Sequence, residues 1–239
     1  MSPPFHFTFK NLAGQYEAAI KAGYEILTCA DYAKRKDNLS ELTLVNRVDI
    51  DFSIEKAAVL GQIFASYQIK ATFFVRLHAP DYNPFSFENY KILKRLRDDK
   101  HEIGYHCEVV DQAAVWGERQ EACLRRDLEI LSRMLETKIY GAASHGGSTG
   151  LNNLDFWKNR SPSDFGLLYE AYDKSEQFGL FHKSLYVSDS EWTQWKSYHK
   201  GALLKDDLRT LEQHLQERPS LVYLLVHPDT YSEKDRNHQ

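Results

Sequence analysis

Chemistry in this sequence starts at Asp49-Ile50-Asp51. Alternate residues of an extended strand point to one face, so both carboxylates can aim at one point while Ile50 packs on the other side. Two carboxylates that close repel unless a cation or a proton lies between them, which points to a metal ion or a raised pKa. The alternative is a solvated strand end, with Ser53 capping the next helix. A second cluster runs from His101 to Glu108, His-Glu-Ile-Gly-Tyr-His-Cys-Glu. On a strand, His106 shares a face with Gly104 and Glu108 while Cys107 turns into packing, and Gly104 is expected to leave room for an approaching group. A neutral imidazole beside carboxylates of a neighbouring strand is a candidate ligand for zinc or a similar ion. Taken without Asp49 and Asp51, it reads as an ordinary hydrogen-bonded histidine.

Further along, Ser144-His145-Gly146-Gly147-Ser148-Thr149-Gly150 reads as a turn at a strand end, where glycines permit close backbone approach. His227 is followed by Pro228, which stops a strand and holds the imidazole at its rim. Asp189, within Ser188-Asp189-Ser190-Glu191-Trp192, could orient that imidazole. Trp192 and Trp195 offer flat faces for a sugar ring; the alternative is core packing. A rival chemistry also fits the letters. Gly146 to Gly150 matches G-x-S-x-G, and Ser148, Asp189 and His227 follow the α/β-hydrolase triad order. That serine-hydrolase reading leaves Asp49, Asp51 and His106 without a role.

Strands must position these residues. Leu42 to Val45 reads as a strand continuing through Asp51, after which Ser53 opens a helix with apolar positions Leu60, Ile63, Phe64 and Tyr67. Ala71 to Val75 is a strand apolar enough for burial on both faces. A helix from Phe87 to Lys100, a strand from Glu102 to His106, and a helix from about Glu118 to Thr137 follow, the last striped by Leu124, Leu128, Leu131 and Leu135. Lys138 to Ser144 and Ser220 to Val226 read as strands, Leu204 to Glu217 as a helix, and Tyr16 to Ala22 with Glu25 to Cys29 as one more helix–strand pair. Such alternation gives an α/β fold with a parallel sheet. Polar clusters after four strands, at Asp49/Asp51, His106, Ser144-His145 and His227, suit the C-terminal face of a barrel; an open doubly wound sheet shares the pattern.

Composition sets outer bounds. The chain has 239 residues, 42% hydrophobic and 27% charged, with a formal net charge of -4. That profile excludes a disordered or collagen-like chain and suits a single domain. It shows no wide basic surface, so no nucleic-acid partner is expected. Three cysteines, Cys29, Cys107 and Cys123, are too few and odd in number for a disulfide framework and read as reduced thiols. Met1 to Lys10 has neither a basic n-region nor an apolar h-region, and no stretch approaches the ~20 apolar residues that span a bilayer. The expectation is a cytoplasmic protein with no membrane span.

Together these segments resemble the polysaccharide deacetylase superfamily, that of carbohydrate esterase family 4 and the NodB homology domain. Arg47-Val48-Asp49-Ile50-Asp51 is similar to an Arg-His-Asp-Val-Asp form of its first motif, and His101-Glu102-Ile103-Gly104-Tyr105-His106 to its second. Ala71 to Val75 resembles the strand between them, and Leu224-Leu225-Val226-His227-Pro228 the late strand carrying a histidine. The match is good over about residues 40–110 and holds in outline over 138–230.

The resemblance implies a distorted (β/α) barrel of about seven parallel strands and metal-dependent removal of an acetyl group from an amino sugar or polysaccharide precursor. A divalent ion, zinc by preference, would sit on Asp51 and His106, with Asp49 as general base and His227 as general acid. Two departures matter. The family's second motif has another histidine four residues after the first, where this chain has Val110, and its first motif has adjacent aspartates, where Ile50 intervenes. The usual Asp-His-His site therefore does not carry over intact. His145 is the candidate for the missing ligand and Glu108 the alternative, and a non-catalytic sugar-binding protein is the reading if neither serves. Arg47, Glu108, Ser144 and Trp192 complete the expected site on the substrate side, with Asp189 behind His227.

Overall fold

In this computed structural model, residues 5–234 are described; Met1 to Pro4 of the N-terminal stretch read above fall outside them. The chain begins with α1 (Phe9–Lys21), β1 (Glu25–Leu27), α2 (Cys29–Arg35), β2 (Thr43–Ile50), α3 (Ile54–Ser66) and β3 (Thr72–Val75). It continues through α4 (Phe87–Asp98), β4 (Glu102–Cys107), α5 (Val109–Trp116), α6 (Gln120–Leu135) and β5 (Gly141–Ser144). After β6 (Tyr169–Glu170) and α7 (Leu180–Lys183) come β7 (Leu185–Ser188), β8 (Lys196–His199), β9 (Ala202–Leu203), α8 (Leu211–Leu215) and β10 (Leu221–Val226). Side chains set several boundaries: Ser53 accepts the Lys56 N–H at the start of α3, and Ser86 accepts that of Asn89 at the start of α4.

One ten-stranded sheet runs β6-β5-β4-β3-β2-β10-β7-β8-β9, with β1 also on β2. β1 pairs with Thr43 to Val45 and β3 with Arg47 to Ile50, so two strands share one edge of β2. Among the described residues only the β7–β8 and β8–β9 pairings are antiparallel, so β8 alone runs against the other strands. The α/β class and mostly parallel sheet are as expected. Backbone pairing does not close the sheet among the described residues. Its curl is carried by side chains: Tyr172, after β6, brings its hydroxyl within 3.2 Å of that of Tyr186 on β7.

The strand period of two divides the core. Leu44, Val48, Ile50, Phe73, Val75, Ile103 and Tyr105 face the helices, while Val45, Phe74, Ala143, Tyr169, Tyr186, Tyr223 and Leu225 fill the inner face. Phe74 on β3 meets Tyr169 on β6 edge to face, with ring centroids 6.3 Å apart, over the two strands between them. Those strands place glycine beneath the rings: a Cβ at Gly104 would stand 2.4 Å from the Phe74 ring, and one at Gly141 would stand 2.0 Å from that of Tyr169. The space beside Gly104 is therefore filled by Phe74 rather than left for a ligand.

The helix expected over Leu204 to Glu217 is shorter, Leu211–Leu215. Asp207 turns the chain before it by accepting the Arg209 backbone and guanidinium N–H groups, and Thr210 with Gln213 forms the capping box. The three cysteines are free and buried. No helix among the described residues is long and apolar enough to cross a membrane.

Candidate functional site

β2 carries Arg47 and Asp49 on the inner face and ends just before Asp51. The buried Arg47 guanidinium donates from Nε to Asp49 Oδ1 at 2.8 Å and from Nη2 to Oδ2 at 2.7 Å. Burial works to raise the Asp49 carboxyl, but Arg47 and then His106 outweigh it and hold the group below the usual carboxylate range. Arg47 also packs its cation 4.8 Å from the Tyr172 ring centre. It borders the cavity, with Nε and Nη2 committed to Asp49 and Nη1 donating to the Tyr223 hydroxyl at 3.4 Å.

β4 delivers His106, whose Nδ1–H donates to the Ala143 carbonyl of β5 at 2.8 Å. That bond keeps the hydrogen on Nδ1, so that Nε2 is the nitrogen with the lone pair whenever the ring is neutral. Nε2 stands 3.2 Å from Asp51 Oδ1 and 3.4 Å from Asp49 Oδ2. Burial opposes the charged ring, yet Asp49 and Asp51 prevail and raise its pKa.

His145 follows β5, its N–H bonded to the Cys107 carbonyl at 3.0 Å. Its ring meets that of His106 edge to face at 5.1 Å. Nε2 lies 4.0 Å from Asp51 Oδ1, and Nδ1 lies 3.3 Å from Glu108 Oε1. One ligand atom from each of Asp51, His106 and His145 thus falls within 4.8 Å of the others. His145, on a turn at a strand end, thus lies beside Asp51 and His106, whereas Val110 is buried on α5 and its N–H donates to Asn153 Oδ1 at 3.0 Å.

A metal ion can be tested against these atoms. Asp51 Oδ1 is buried and no hydrogen bond satisfies it. It faces two imidazole nitrogens, and a set of one oxygen and two nitrogen donors suits zinc or a similar divalent cation. For Asp51, burial pushes the carboxyl up, but His106, His227 and His145 together hold it far below the usual range.

At the other side of Asp51, β7 and β10 end together. Asp189 accepts the His227 N–H on both carboxylate oxygens, at 3.1 and 2.9 Å, and its Oδ1 lies 2.6 Å from His227 Nδ1. His227 Nε2 is 3.9 Å from Asp51 Oδ2. Burial works to lower this imidazole, but Asp189 overrides it and the pKa is pushed up to about 9. Trp192 tilts over the His227 ring at 5.7 Å and touches Phe52. It does so from a left-handed φ of 62°, a strained conformation for a bulky residue.

Asp49, Asp51, His106, His145, Trp192 and His227 line a cavity of about 610 Å³ whose wall also carries the aromatic rings of Tyr172, Phe181, Tyr186 and Tyr198. A larger hollow of about 1570 Å³ beside α1 and α8 is bordered by Trp195 but by none of the candidate aspartates and histidines. Ser144 borders the site cavity, with its hydroxyl donating to Glu170 and accepting from Trp157 Nε1.

One expectation, for Glu108, and two readings left open by the sequence, for Trp195 and Ser148, do not fit the structure. Glu108 does not line the cavity: its Oε1 receives Arg76 Nη2 at 2.7 Å, behind His145, while its Oε2 is buried without a hydrogen bond. Burial pushes its carboxyl up, but His145 and Arg76 outweigh that and lower it. Trp195 is a core residue, packed against Phe5 and Phe7 with centroids at 5.4 and 5.6 Å. Ser148 lies outside the cavity, its N–H given to Asp111 Oδ2, while His227 Nε2 faces Asp51, so Ser148, Asp189 and His227 do not assemble as a triad. Arg76 and the aromatic wall were not singled out from sequence. Arg76 follows a strand, and its Nη1 donates to the Asp51 carbonyl at 3.0 Å; a strand-end arginine next to an acidic neighbouring strand was the available signal.

No protein-family model matches the sequence, and no curated protein matches it. Among solved structures, the chain is similar to the Streptococcus pyogenes deacetylase PplD in complex with acetate, at 19% identity and a TM-score of 0.43, over 55% of this chain and 59% of that one. It is similar to BA3943, a CE4 family pseudoenzyme from Bacillus anthracis, at 16% identity and a TM-score of 0.47, over 81% of this chain and 56% of that one. IcaB from Ammonifex degensii gives 16% identity and a TM-score of 0.46, over 67% of this chain and 74% of that one. The chain thus matches less than two thirds of the first two. These are likenesses of fold.

Proposed function

We propose that this protein is a metal-dependent hydrolase that removes an N-acetyl group from an amino sugar or a polysaccharide precursor. The observation that carries the reading is the buried Asp51 Oδ1, which has no hydrogen bond and faces Nε2 of both His106 and His145. Asp51, His106 and His145 would hold a divalent cation, with zinc preferred by the donor set. When bound, such an ion supplies Lewis-acid chemistry, lowering the pKa of water from 15.7 to about 7 and polarising a carbonyl.

The chain's own groups complete the proton path. Asp49 stays ionised at neutral pH because Arg47 outweighs the cost of burial, and each of its oxygens keeps a lone pair beyond the one taken by Arg47. It accepts the proton of the attacking water. An amide nitrogen leaves only when protonated, and His227 holds that proton on Nε2 up to about pH 9. Asp189 binds the opposite ring edge and keeps Nε2 turned toward Asp51. Trp192 and the tyrosine wall present faces to a sugar ring, and the resemblance of the motifs supplies the acetamido sugar as substrate class.

The test is acetate release from chitooligosaccharides and N-acetylglucosamine by purified protein, with and without added zinc, beside metal analysis. Zinc-dependent release that falls at least ~100-fold in Asp51→Asn is expected. Full activity in that variant overturns the assignment, and sugar binding without release favours a non-catalytic protein.

A further inference from the structure

The third nitrogen of the cluster needs a device that aims it, because His145 sits on a loop rather than on a strand. Glu108 lies directly behind it. Its Oε1 stands 3.3 Å from His145 Nδ1, a buried nitrogen that no other group satisfies and that makes no aligned hydrogen bond, and 2.7 Å from Arg76 Nη2, and Arg76 Nη1 donates in turn to the Asp51 carbonyl at 3.0 Å. Glu108 and Arg76 are both buried, so neither charge is answered by solvent. The backbone of the same loop is clamped separately. Asn153 takes the Val110 and Asp111 N–H groups on Oδ1 and donates from Nδ2 to the His145 carbonyl at 3.2 Å, and Asp111 accepts the Ser148 and Thr149 N–H groups.

We propose that Glu108, locked by Arg76, is a positioning residue that holds His145 as its Nδ1–H tautomer and so presents the Nε2 lone pair to Asp51. The inference rests on the metal-site reading of Asp51, His106 and His145. A carboxylate behind a ligating imidazole fixes ring orientation and raises basicity, and its loss typically costs 10–100-fold in metal affinity. Arg76 ties this support to the other ligand, since one guanidinium touches both the carboxylate behind His145 and the main chain of Asp51. A displaced ligand thereby keeps a fixed geometry although the residue four positions after His106 is valine.

Two readouts test this: zinc affinity by chelator competition, and the ring tautomer of His145 by long-range ¹H–¹⁵N NMR of the metal-free protein, assigned with His145→Gln. Glu108→Ala is expected to lower zinc affinity about 10–100-fold and to release His145 into mixed tautomers, and Glu108→Gln, which keeps an acceptor oxygen, to lose less than half of that effect on a logarithmic scale. Should Glu108→Ala fail to fold, the Arg76→Met/Glu108→Met double variant removes both buried charges and is read the same way. Wild-type affinity and tautomer in a folded variant overturn the proposal. If the wild type binds no zinc, the function proposed above falls, and the tautomer measurement still decides the role of Glu108.

Discussion

His227 and Asp189 are joined twice, by Nδ1 to Oδ1 at 2.6 Å and by the His227 backbone N–H to both carboxylate oxygens. The side chain of one strand end thus caps the main chain of the next, and the imidazole is held against rotation. Asp189 is fully buried, so the pairing is not weakened by solvent.

The sign of the pH dependence follows from this pairing. His227 has its pKa raised to about 9 in the folded protein, chiefly by Asp189 acting against burial. A group raised on folding adds stability that is complete below its unfolded value and lost as pH rises through the folded one. The acid that protonates the leaving nitrogen disappears over the same range. Acetate release should therefore fall above about pH 9, and Asp189→Asn should move that limb down by more than one unit, toward the ordinary histidine value near 6.5. A limb that stays near pH 9 in Asp189→Asn removes His227 as the acid.

Metal binding should appear as stability. An ion that binds only the folded chain adds roughly 2.7 kcal/mol at a hundredfold excess over its dissociation constant, or about 5–10 °C in Tm for a chain of this size. Zinc is expected to raise Tm by that amount in the wild type, and a chelator to reverse the rise. Asp51→Asn should show no shift, because the buried Oδ1 that faces both imidazoles is gone. An equal shift in that variant locates the ion elsewhere.

What could be read from sequence was what a single strand enforces. Asp49, His106 and His227 lie on or beside continuous apolar runs, and a period of two fixes which way such residues face. The long helix ending near Leu135 was legible for the same reason, its stripe of leucines. Contacts between distant segments were not. Arg76 and Glu108 are 32 positions apart, and nothing local marks them as partners. Trp195 and Trp192 differ by three positions, yet one is core and the other borders the cavity, because the β7–β8 turn decides which ring faces inward. The helical letters of Leu204 to Arg209 lost to an Asp207–Arg209 pair that satisfies the backbone locally.

Arg47 should matter for folding as much as for chemistry. Removing one partner of a buried ion pair leaves an unanswered charge and costs about 3–5 kcal/mol. In Arg47→Met, Asp49 keeps its burial but loses the main group that lowers it, so its pKa rises. The wild-type carboxylate, lowered on folding, contributes stability above its unfolded pKa and loses it as pH falls; the less lowered one of the variant contributes less. The stability deficit of Arg47→Met, measured by urea unfolding, should therefore be larger at pH 7 than at pH 4. A deficit independent of pH contradicts the pairing.

The inner face is built around missing side chains, and Gly104 tests that. A methyl group there would meet the Phe74 ring at 2.4 Å, and Phe74 is fully buried on β3 with no open side to move into. Gly104→Ala should cost about 1–3 kcal/mol as an overpacked core. Phe74→Leu alone leaves a cavity and is also destabilising. Combined, the two changes relieve each other, because the smaller side chain vacates the volume that the new methyl needs. The double variant should be more stable than the sum of the single losses by at least about 0.5 kcal/mol, the coupling expected of residues in contact. Strict additivity in a thermal or urea unfolding cycle would mean that Phe74 does not lie over Gly104, and with it would go the account of how the sheet curls over β4 and β5.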